Sequence, residues 1–478
     1  MKLTNTLTSK HTELSELGLN PGDTVTLYSC GPTVYNHVHI GNLRTFIADD
    51  MLRRNLIAAG YKVNAVMNIT DVDDKTIAKS QTEHPDLGPM EALIETTRAY
   101  EAIFMSDLAA VGVDTSIFTI VRATEQIGPM QAMIADIMKH GFAYIAEGSV
   151  YFDLAKYQAA GNTYGQLINV DFSPQARVDN DEYDKNEARD FVLWKGMKEG
   201  EPFWEFALDG HDLPGRPGWH IECSAMALAN LHTQPITIHS GGIDLKFPHH
   251  ENEIAQTIGA TGQPFTQIFT HHGHLFVDGR KMSKSLDNFY TLEDIVAEGY
   301  HPLAFRLLTL QASHTSELNF SWDSLDAAQN SLGSLYGWAD LRHQTNLSEL
   351  RFEPSVIDDT LDHMTQALAD DLSSTAALAV LYRFVAELAP GMRYDEEDSA
   401  ELFGRIDALL GLGLSDRSDI NADQKKLIAE RQTAREAKDY AASDRFRAQL
   451  ERRGLEISDT PNGPRWRRLE LTKPEKIN

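Results

Sequence analysis

The sequence predicts an α/β domain built on a parallel sheet and carrying an insertion, followed by an α-helical bundle and a small basic C-terminal domain. Three observations predict it. The first 75 residues alternate strand, helix and strand periodicities, the stretch after about 320 is helical without a convincing strand, and the last 58 residues reverse the sign of the charge. At 478 residues, 42% apolar and 24% charged, the chain is long enough for two or three domains and unlike a disordered or collagen-like one.

In DTVTLYSC, Val25 and Leu27 alternate with polar residues as in a strand entering a core. Leu43, Phe46, Ile47, Met51, Leu52, Leu56 and Ile57 then recur at helical spacing, and Gly60 suits a C-terminal cap, which predicts a helix over about 42–59. Val63, Ala65, Met67 and Ile69 occupy one face of a second strand, placed parallel to the first by the crossover helix. This β-α-β unit predicts a Rossmann-like, nucleotide-binding domain over 1–320 with its site at the strand ends. PITIHS near 235 and QIFTHHGHLFV near 267 read as further strands. Residues from about 90 to 140 look helical and those from about 145 to 215 turn-rich, so an insertion is expected at about 90–215. The bundle is expected over 321–420 and the last domain over 421–478.

The 43 basic and 70 acidic residues leave a net charge of -27, which would discourage a nucleic-acid partner were the charge uniform. It is segregated: residues 421–478 hold 14 basic against 10 acidic side chains, about +4, leaving about -31 elsewhere. Two cysteines cannot build a disulfide framework, MKLTNTLTSK lacks the apolar stretch of a signal peptide, and no run of about 18 apolar residues offers a membrane span. A reducing, cytoplasmic setting is the expectation.

The loop Pro32-Thr33-Val34-Tyr35-Asn36-His37-Val38-His39-Ile40-Gly41-Asn42 joins a strand to a helix start, where backbone N–H groups and the helix dipole favour phosphate. His37 and His39 can donate to phosphate oxygens, and Gly41 lets the backbone approach. Lys281-Met282-Ser283-Lys284-Ser285 follows the apolar LFVDGR and brings two lysines to a loop, suited to charge that grows as pyrophosphate leaves. His39-Ile40-Gly41-Asn42 and KMSKS, in this order, resemble the two signatures of class I aminoacyl-tRNA synthetases.

A third constellation bears on the amino acid. Cys30 ends the first strand and Cys223 lies in GWHIECS. In FPHHENE, His249 and Glu253 are spaced i and i+4 on a helix beginning after Pro248, while His250 and Glu253, at i and i+3, compete for the same role. Two thiolates, an imidazole and a carboxylate make a tetrahedral zinc set. Zinc would coordinate a thiol substrate as thiolate and leave serine's hydroxyl poorly held, so a separate editing domain would be unnecessary. CGPTVYNHVHIGNLRTF, NITDVDDK, ARDFVLWK, GWHIECSAM, GGIDLKFPHHENE, KMSKSLDN, LNFSWD and the terminal DTPNGPRWRR are similar to the cysteinyl-tRNA synthetase family over nearly the whole chain.

That resemblance implies that one Zn2+ per chain is bound by Cys30, Cys223, His249 and Glu253, with the substrate thiolate as a fifth ligand. It implies ATP contacts from His39, Gly41, Asn42, Lys281 and Lys284, with Mg2+ accompanying ATP, and a cysteine pocket that includes Thr70, Trp219 and Asp244. Asn42 stands where the fuller signature has histidine, so an amide NH2 takes over that hydrogen bond. Asp287 replaces a glycine after KMSKS and removes backbone freedom. The implied partners are L-cysteine, ATP and tRNA(Cys), the implied acceptor the 2′-hydroxyl of the terminal adenosine, and the implied state a monomer. Arg465, Trp466, Arg467 and Arg468 are the candidate tRNA contacts, with Trp466 suited either to stacking or to capping a small core. A ligase giving cysteine to an amino sugar would share the activation chemistry but would have no need of the basic tail.

Overall fold

The computed structural model describes residues 1–168, 190–282, 288–344, 348–350, 354–387, 392–461, 463–469 and 471. The chain forms two compact units, one of residues 1–49, 60–109 and 114–274, the other of residues 50–59, 110–113 and 275–478. In the first, β1 (Thr24–Ser29), β2 (Lys62–Ile69), β3 (Phe118–Arg122), β4 (Ile236–Gly242) and β5 (Thr266–His272) make one sheet in the order β5-β4-β1-β2-β3. Every neighbouring pair is parallel. Helix α1 (Ile40–Ala58) links β1 to β2, and α2 (Asp74–Glu83) and α3 (Pro89–Ala110) link β2 to β3. Helix α4 (Trp219–Leu231) precedes β4, and α5 (His249–Thr261) links it to β5.

The strand order reverses between β1 and β4. The chain steps from β1 to β2 and β3 on one side, then crosses to lay β4 against the other edge of β1, and such a reversal opens a crevice beyond the carboxyl ends of those two strands. Both ends carry candidate functional residues, Cys30 after β1 and Asp244 after β4. The crevice floor is backbone: a Cβ on Gly31 would lie 1.6 Å from the Asn68 carbonyl oxygen, so only glycine lets these two segments approach.

The expected one-sided alternation in β2 holds only at its start. Residues Ala65 to Ile69 are all buried, because an inner strand of a parallel sheet is covered on both faces. The insertion begins later than the expected position of about 90. Phe118–Arg122 is the edge strand β3, and α3 is its crossover; a five-residue edge strand with only Phe118 and Val121 buried leaves almost no period in sequence. The inserted part holds a four-stranded antiparallel sheet of Ala143–Ala146, Ser149–Phe152, Phe191–Gly196 and Gly215–Pro217.

The second unit takes up the chain again at Leu275. Leu275–Val277 leaves the parallel sheet and pairs with Arg280–Lys281 and with Leu318–Phe320. Helices follow at Pro302–Leu310, Trp322–Ala339, Pro354–Ala369, Ser374–Glu387 and Glu396–Leu410. The expectation of no strand there is also corrected: Ser348–Leu350 pairs in parallel with Met392–Tyr394, each too short to show a period. The last residues form helices Ala422–Glu436 and Tyr440–Arg452 and a hairpin of Leu455–Thr460 with Gly463–Arg468. They share the unit with the helices before them, the Gln344 amide bonding both the N–H and the carbonyl of Trp466.

Arg306 is wholly buried in this unit. It donates to the carbonyls of Leu410 at 2.7 Å and Val111 at 3.0 Å and to Asp50 Oδ2 at 2.6 Å, while Asp50 also receives Arg53 and Arg54. The three arginines hold the Asp50 carboxyl below its usual range against the opposing effect of burial. Removing one partner strands buried charge and carbonyls, so Arg306→Met is expected to cost about 3–5 kcal/mol, read as a lower denaturant midpoint.

Candidate active site and metal centre

Helix α1 begins at the nucleotide loop with a reciprocal cap. The Asn42 N–H donates to His39 Nδ1 at 3.1 Å, and the His39 N–H donates to Asn42 Oδ1 at 3.4 Å. Because Nδ1 accepts, the ring proton sits on Nε2, which makes that atom a donor. The adjacent His37 ring packs edge-on against Tyr100, 5.9 Å between centroids. Lys281 is exposed at the base of the second loop, where Asn288 Nδ2 donates to its carbonyl at 3.2 Å. Ser283, Lys284, Ser285 and Asp287 lie outside the described residues.

Beyond β1, the ligand atoms of Cys30, Cys223, His249 and Glu253 all lie within 4.8 Å of one another, and all four residues are buried. Cys30 comes from the carboxyl end of β1, Cys223 from the first turns of α4, and His249 and Glu253 from the first turn of α5. The two sulfurs are 3.7 Å apart, Cys223 Sγ is 3.4 Å from His249 Nε2, and His249 Nε2 is 2.8 Å from Glu253 Oε1. Two thiolates on one tetrahedral zinc stand ~3.8 Å apart, so the pair already has the separation an ion requires.

His250, the rival for the histidine position, lies on the other side of Cys30 in a second donor set of Cys30, His239, His250 and Glu253. Proton positions there follow from one hydroxyl. Thr6 donates to the Phe269 carbonyl at 3.0 Å, so it must accept from His271 Nδ1 at 2.6 Å. His271 Nε2 then accepts from His250 Nδ1 at 2.7 Å, which leaves His250 Nε2 as an unprotonated nitrogen 3.4 Å from Cys30 Sγ. Burial pushes both imidazoles well below the usual histidine range, in keeping with this neutral chain. His239, whose Nε2 lies 2.5 Å from Glu253 Oε2, is absent from the sequence reading. Its signal is a lone histidine in the apolar strand ITIHSGG, near the end where sites fall.

Charge is strongly redistributed. Burial pushes the Cys30 thiol up, and the hydrogen bond to Cys223 adds to it. Burial acts the same way on Cys223, but the Cys30 hydrogen bond and the His249 imidazole outweigh it and bring Cys223 down to about 6. For His249, burial opposes protonation, yet Glu253 and Cys223 raise it to about 10. The histidines hold Glu253 well below its usual range despite burial.

Trp219 stacks on His249, with centroids 4.3 Å apart and planes tilted by 30°. Thr70 bridges to Thr33 and its hydroxyl donates to buried Glu222 at 2.8 Å. Asp244 stands exposed on the turn Ile243–Lys246 just after β4. Residues 19–330 match the family model for the class I (C) tRNA synthetase catalytic domain, and residues 417–467 that for the cysteinyl-tRNA ligase anticodon-binding domain. The chain belongs to the cysteine–tRNA ligase family. It is 38% identical to the cysteine–tRNA ligase of Solibacter usitatus over 98% of this chain and 99% of that one. It is 40% identical to that of Leptospira interrogans serogroup Icterohaemorrhagiae serovar copenhageni over 93% and 95%. Among solved structures, the fold is similar to Mycobacterium tuberculosis methionyl-tRNA synthetase in complex with methionyl-adenylate (TM-score 0.54, 14% identity, 88% of this chain and 96% of that one). It is also similar to an Agrobacterium radiobacter LeuRS ternary complex (TM-score 0.56, 11% identity, 83% and 84%). As a member of this family, the chain is a ligase enzyme with a class I catalytic domain.

One candidate in this ligase changes role. Trp466 is 5% exposed and packs in a core with Leu427, Ile428, Leu450, Leu455 and Ile457, so it cannot stack on a base there. The hairpin alternates, turning Pro464 and Trp466 inward and leaving Arg467 exposed and paired with Glu456 at 2.5 Å. Arg468 lies over the Trp466 ring and near Asp340.

Ligand protons give a measurable consequence. At pH 8, Cys30 and His249 carry protons that a metal ion must displace, whereas Cys223 is already thiolate, so binding is expected to release about two protons per ion. Affinity falls as pH drops, most steeply below about 6, where Cys223 protonates as well. Titration calorimetry of zinc into metal-free protein, in buffers of different ionisation enthalpy, measures this count; zinc binding without proton release would contradict the ligand set.

Proposed function

We propose that the chain activates L-cysteine with ATP to cysteinyl-adenylate and transfers the cysteinyl group to the 3′-terminal adenosine of tRNA(Cys), a zinc ion selecting the substrate thiol. The observation that carries this reading is the convergence of two thiols, an imidazole and a carboxylate at the strand-end crevice of a cysteine–tRNA ligase fold. Of the two donor sets, that of Cys30, Cys223, His249 and Glu253 suits zinc better, since it supplies both thiols. Zinc bound there would supply a soft Lewis acid that holds a thiol as thiolate. Trp219 fixes the His249 ring, and Thr70 and Asp244 are assigned to the amino acid.

The substrate carboxylate attacks the α-phosphorus of ATP and pyrophosphate leaves, so no protein nucleophile is needed. His39 offers its Nε2–H to phosphate oxygens. Asn42 spends its side-chain oxygen on the cap, which leaves its NH2 for the nucleotide. The α1 N-terminus, Lys281 and Lys284 offset phosphate charge, with Mg2+ accompanying ATP. On the terminal unit, the exposed Lys438, Arg445, Arg452 and Arg453 replace Trp466 as the candidate tRNA contacts. A cytoplasmic monomer is the expectation that goes with this reading.

Cysteine-dependent exchange of pyrophosphate into ATP tests the activation step, and its absence in zinc-loaded protein would refute it. Cys223→Ser is expected to lose bound zinc and raise the KM for cysteine at least tenfold; unchanged metal content would contradict the assignment. Arg445→Glu combined with Arg452→Glu is expected to raise the KM for tRNA by about tenfold or more with exchange retained. Charging of an amino sugar in place of tRNA would favour the rival ligase.

A further inference from the structure

A chain of buried hydrogen bonds runs beside the candidate metal centre. The Gly31 N–H donates to Asn68 Oδ1 at 2.8 Å, Asn68 Nδ2 donates to Thr70 Oγ1 at 3.3 Å, and Thr70 Oγ1 donates to Glu222 Oε2 at 2.8 Å. Gly31 follows Cys30 and Glu222 precedes Cys223, so the chain joins the neighbours of the two cysteines. Thr70 is also fixed through its backbone, its N–H donating to the Pro32 carbonyl and its own carbonyl accepting from the Val34 N–H, both at 3.1 Å. Asn68, Thr70 and Glu222 are each at most 1% exposed.

Direction along this chain is set by chemistry. With Oδ1 occupied by the Gly31 N–H, Asn68 turns its NH2 to Thr70, whose oxygen accepts. Thr70 has a single O–H and gives it to Glu222 Oε2, which leaves Oε1 as the oxygen for any proton the carboxyl carries. The remaining lone pair of Thr70 Oγ1 can then only accept. Without an acceptor at that place the hydroxyl could rotate and donate elsewhere. The second oxygen, Glu222 Oε1, is buried with no hydrogen-bond partner in the protein. A half-satisfied buried carboxyl destabilises a fold, and a neutral apolar residue would fill the space at less cost.

We propose that Glu222 is a positioning residue for amino-acid recognition, locking the Thr70 hydroxyl as a hydrogen-bond acceptor toward the ammonium group of the substrate. This rests on the reading of Thr70 as part of the cysteine pocket. An amino acid offers donors at its ammonium and acceptors at its carboxylate; a hydroxyl that can only accept admits the first and repels the second, so the substrate enters one way round.

The test is pyrophosphate exchange by full-length, zinc-loaded protein carrying Glu222→Leu, Glu222→Gln, Thr70→Val or Glu222→Leu with Thr70→Val. Glu222→Leu is expected to raise the KM for cysteine about tenfold, with the KM for ATP and the bound zinc as in the unmodified protein. Glu222→Gln recovers most of the loss, because its amide oxygen still accepts the Thr70 hydroxyl. Thr70→Val matches Glu222→Leu, and the double variant is no worse than either. Multiplying effects in the double variant, an equal rise in the KM for ATP, or Glu222→Gln as impaired as Glu222→Leu would overturn the proposal. Should Glu222→Leu fail to fold, Glu222→Gln decides alone: a tenfold or greater rise in the KM for cysteine refutes it. Failure of the underlying cysteine reading shows separately, as exchange by the unmodified protein that does not depend on cysteine.

Discussion

Glu253 is the carboxylate on which the centre depends. It is wholly buried, yet His249 and His239 approach its two oxygens at 2.8 and 2.5 Å, and Cys30 lies 3.9 Å from the first. A carboxylate in such surroundings survives as an anion only if cationic or strongly hydrogen-bonding groups surround it. The same demand brings together β1, β4 and α5, which supply Cys30, His239 and His249. The first turn of α5 also faces elsewhere: Glu251 accepts the N–H groups of Gly165, Gln166 and Leu167, so one helical turn serves both the donor cluster and the inserted segment.

From that constraint the chemistry follows in steps. A parallel sheet whose order reverses between β1 and β4 opens a crevice at their carboxyl ends. One strand end supplies Cys30 and the capped loop, so the candidate metal cluster and the start of α1 lie only nine residues apart in sequence, Cys30 to His39. That proximity suits an enzyme that must hold an amino acid and the α-phosphate of ATP together, where catalysis is chiefly positioning.

Much of this was legible in the sequence because it rests on local spacing. The i, i+4 pair of His249 and Glu253, the loop ending in HIGN and the period of α1 each leave a pattern a few residues long. What was not legible depends on tertiary neighbours. The lower half of β2 shows no alternation because both faces are covered, and β3 is a five-residue edge strand inside what reads as an insertion. His239 looks like part of an apolar strand until Glu253 faces it. The WRR run supports stacking or packing equally, until hairpin register turns Trp466 into the core. Spacing alone left His249 and His250 open, since neighbouring residues on one helix turn differ only in which cysteine each meets, and it was the resemblance that implied His249.

The claim at the centre of this account is that the metal held by Cys30, Cys223, His249 and Glu253 touches the substrate thiol. Absorption spectroscopy of the cobalt(II)-substituted protein tests it most directly. Addition of L-cysteine is predicted to intensify the sulfur-to-cobalt charge-transfer band and alter the ligand-field bands, while L-serine leaves both unchanged. Identical spectra with and without saturating L-cysteine would contradict it.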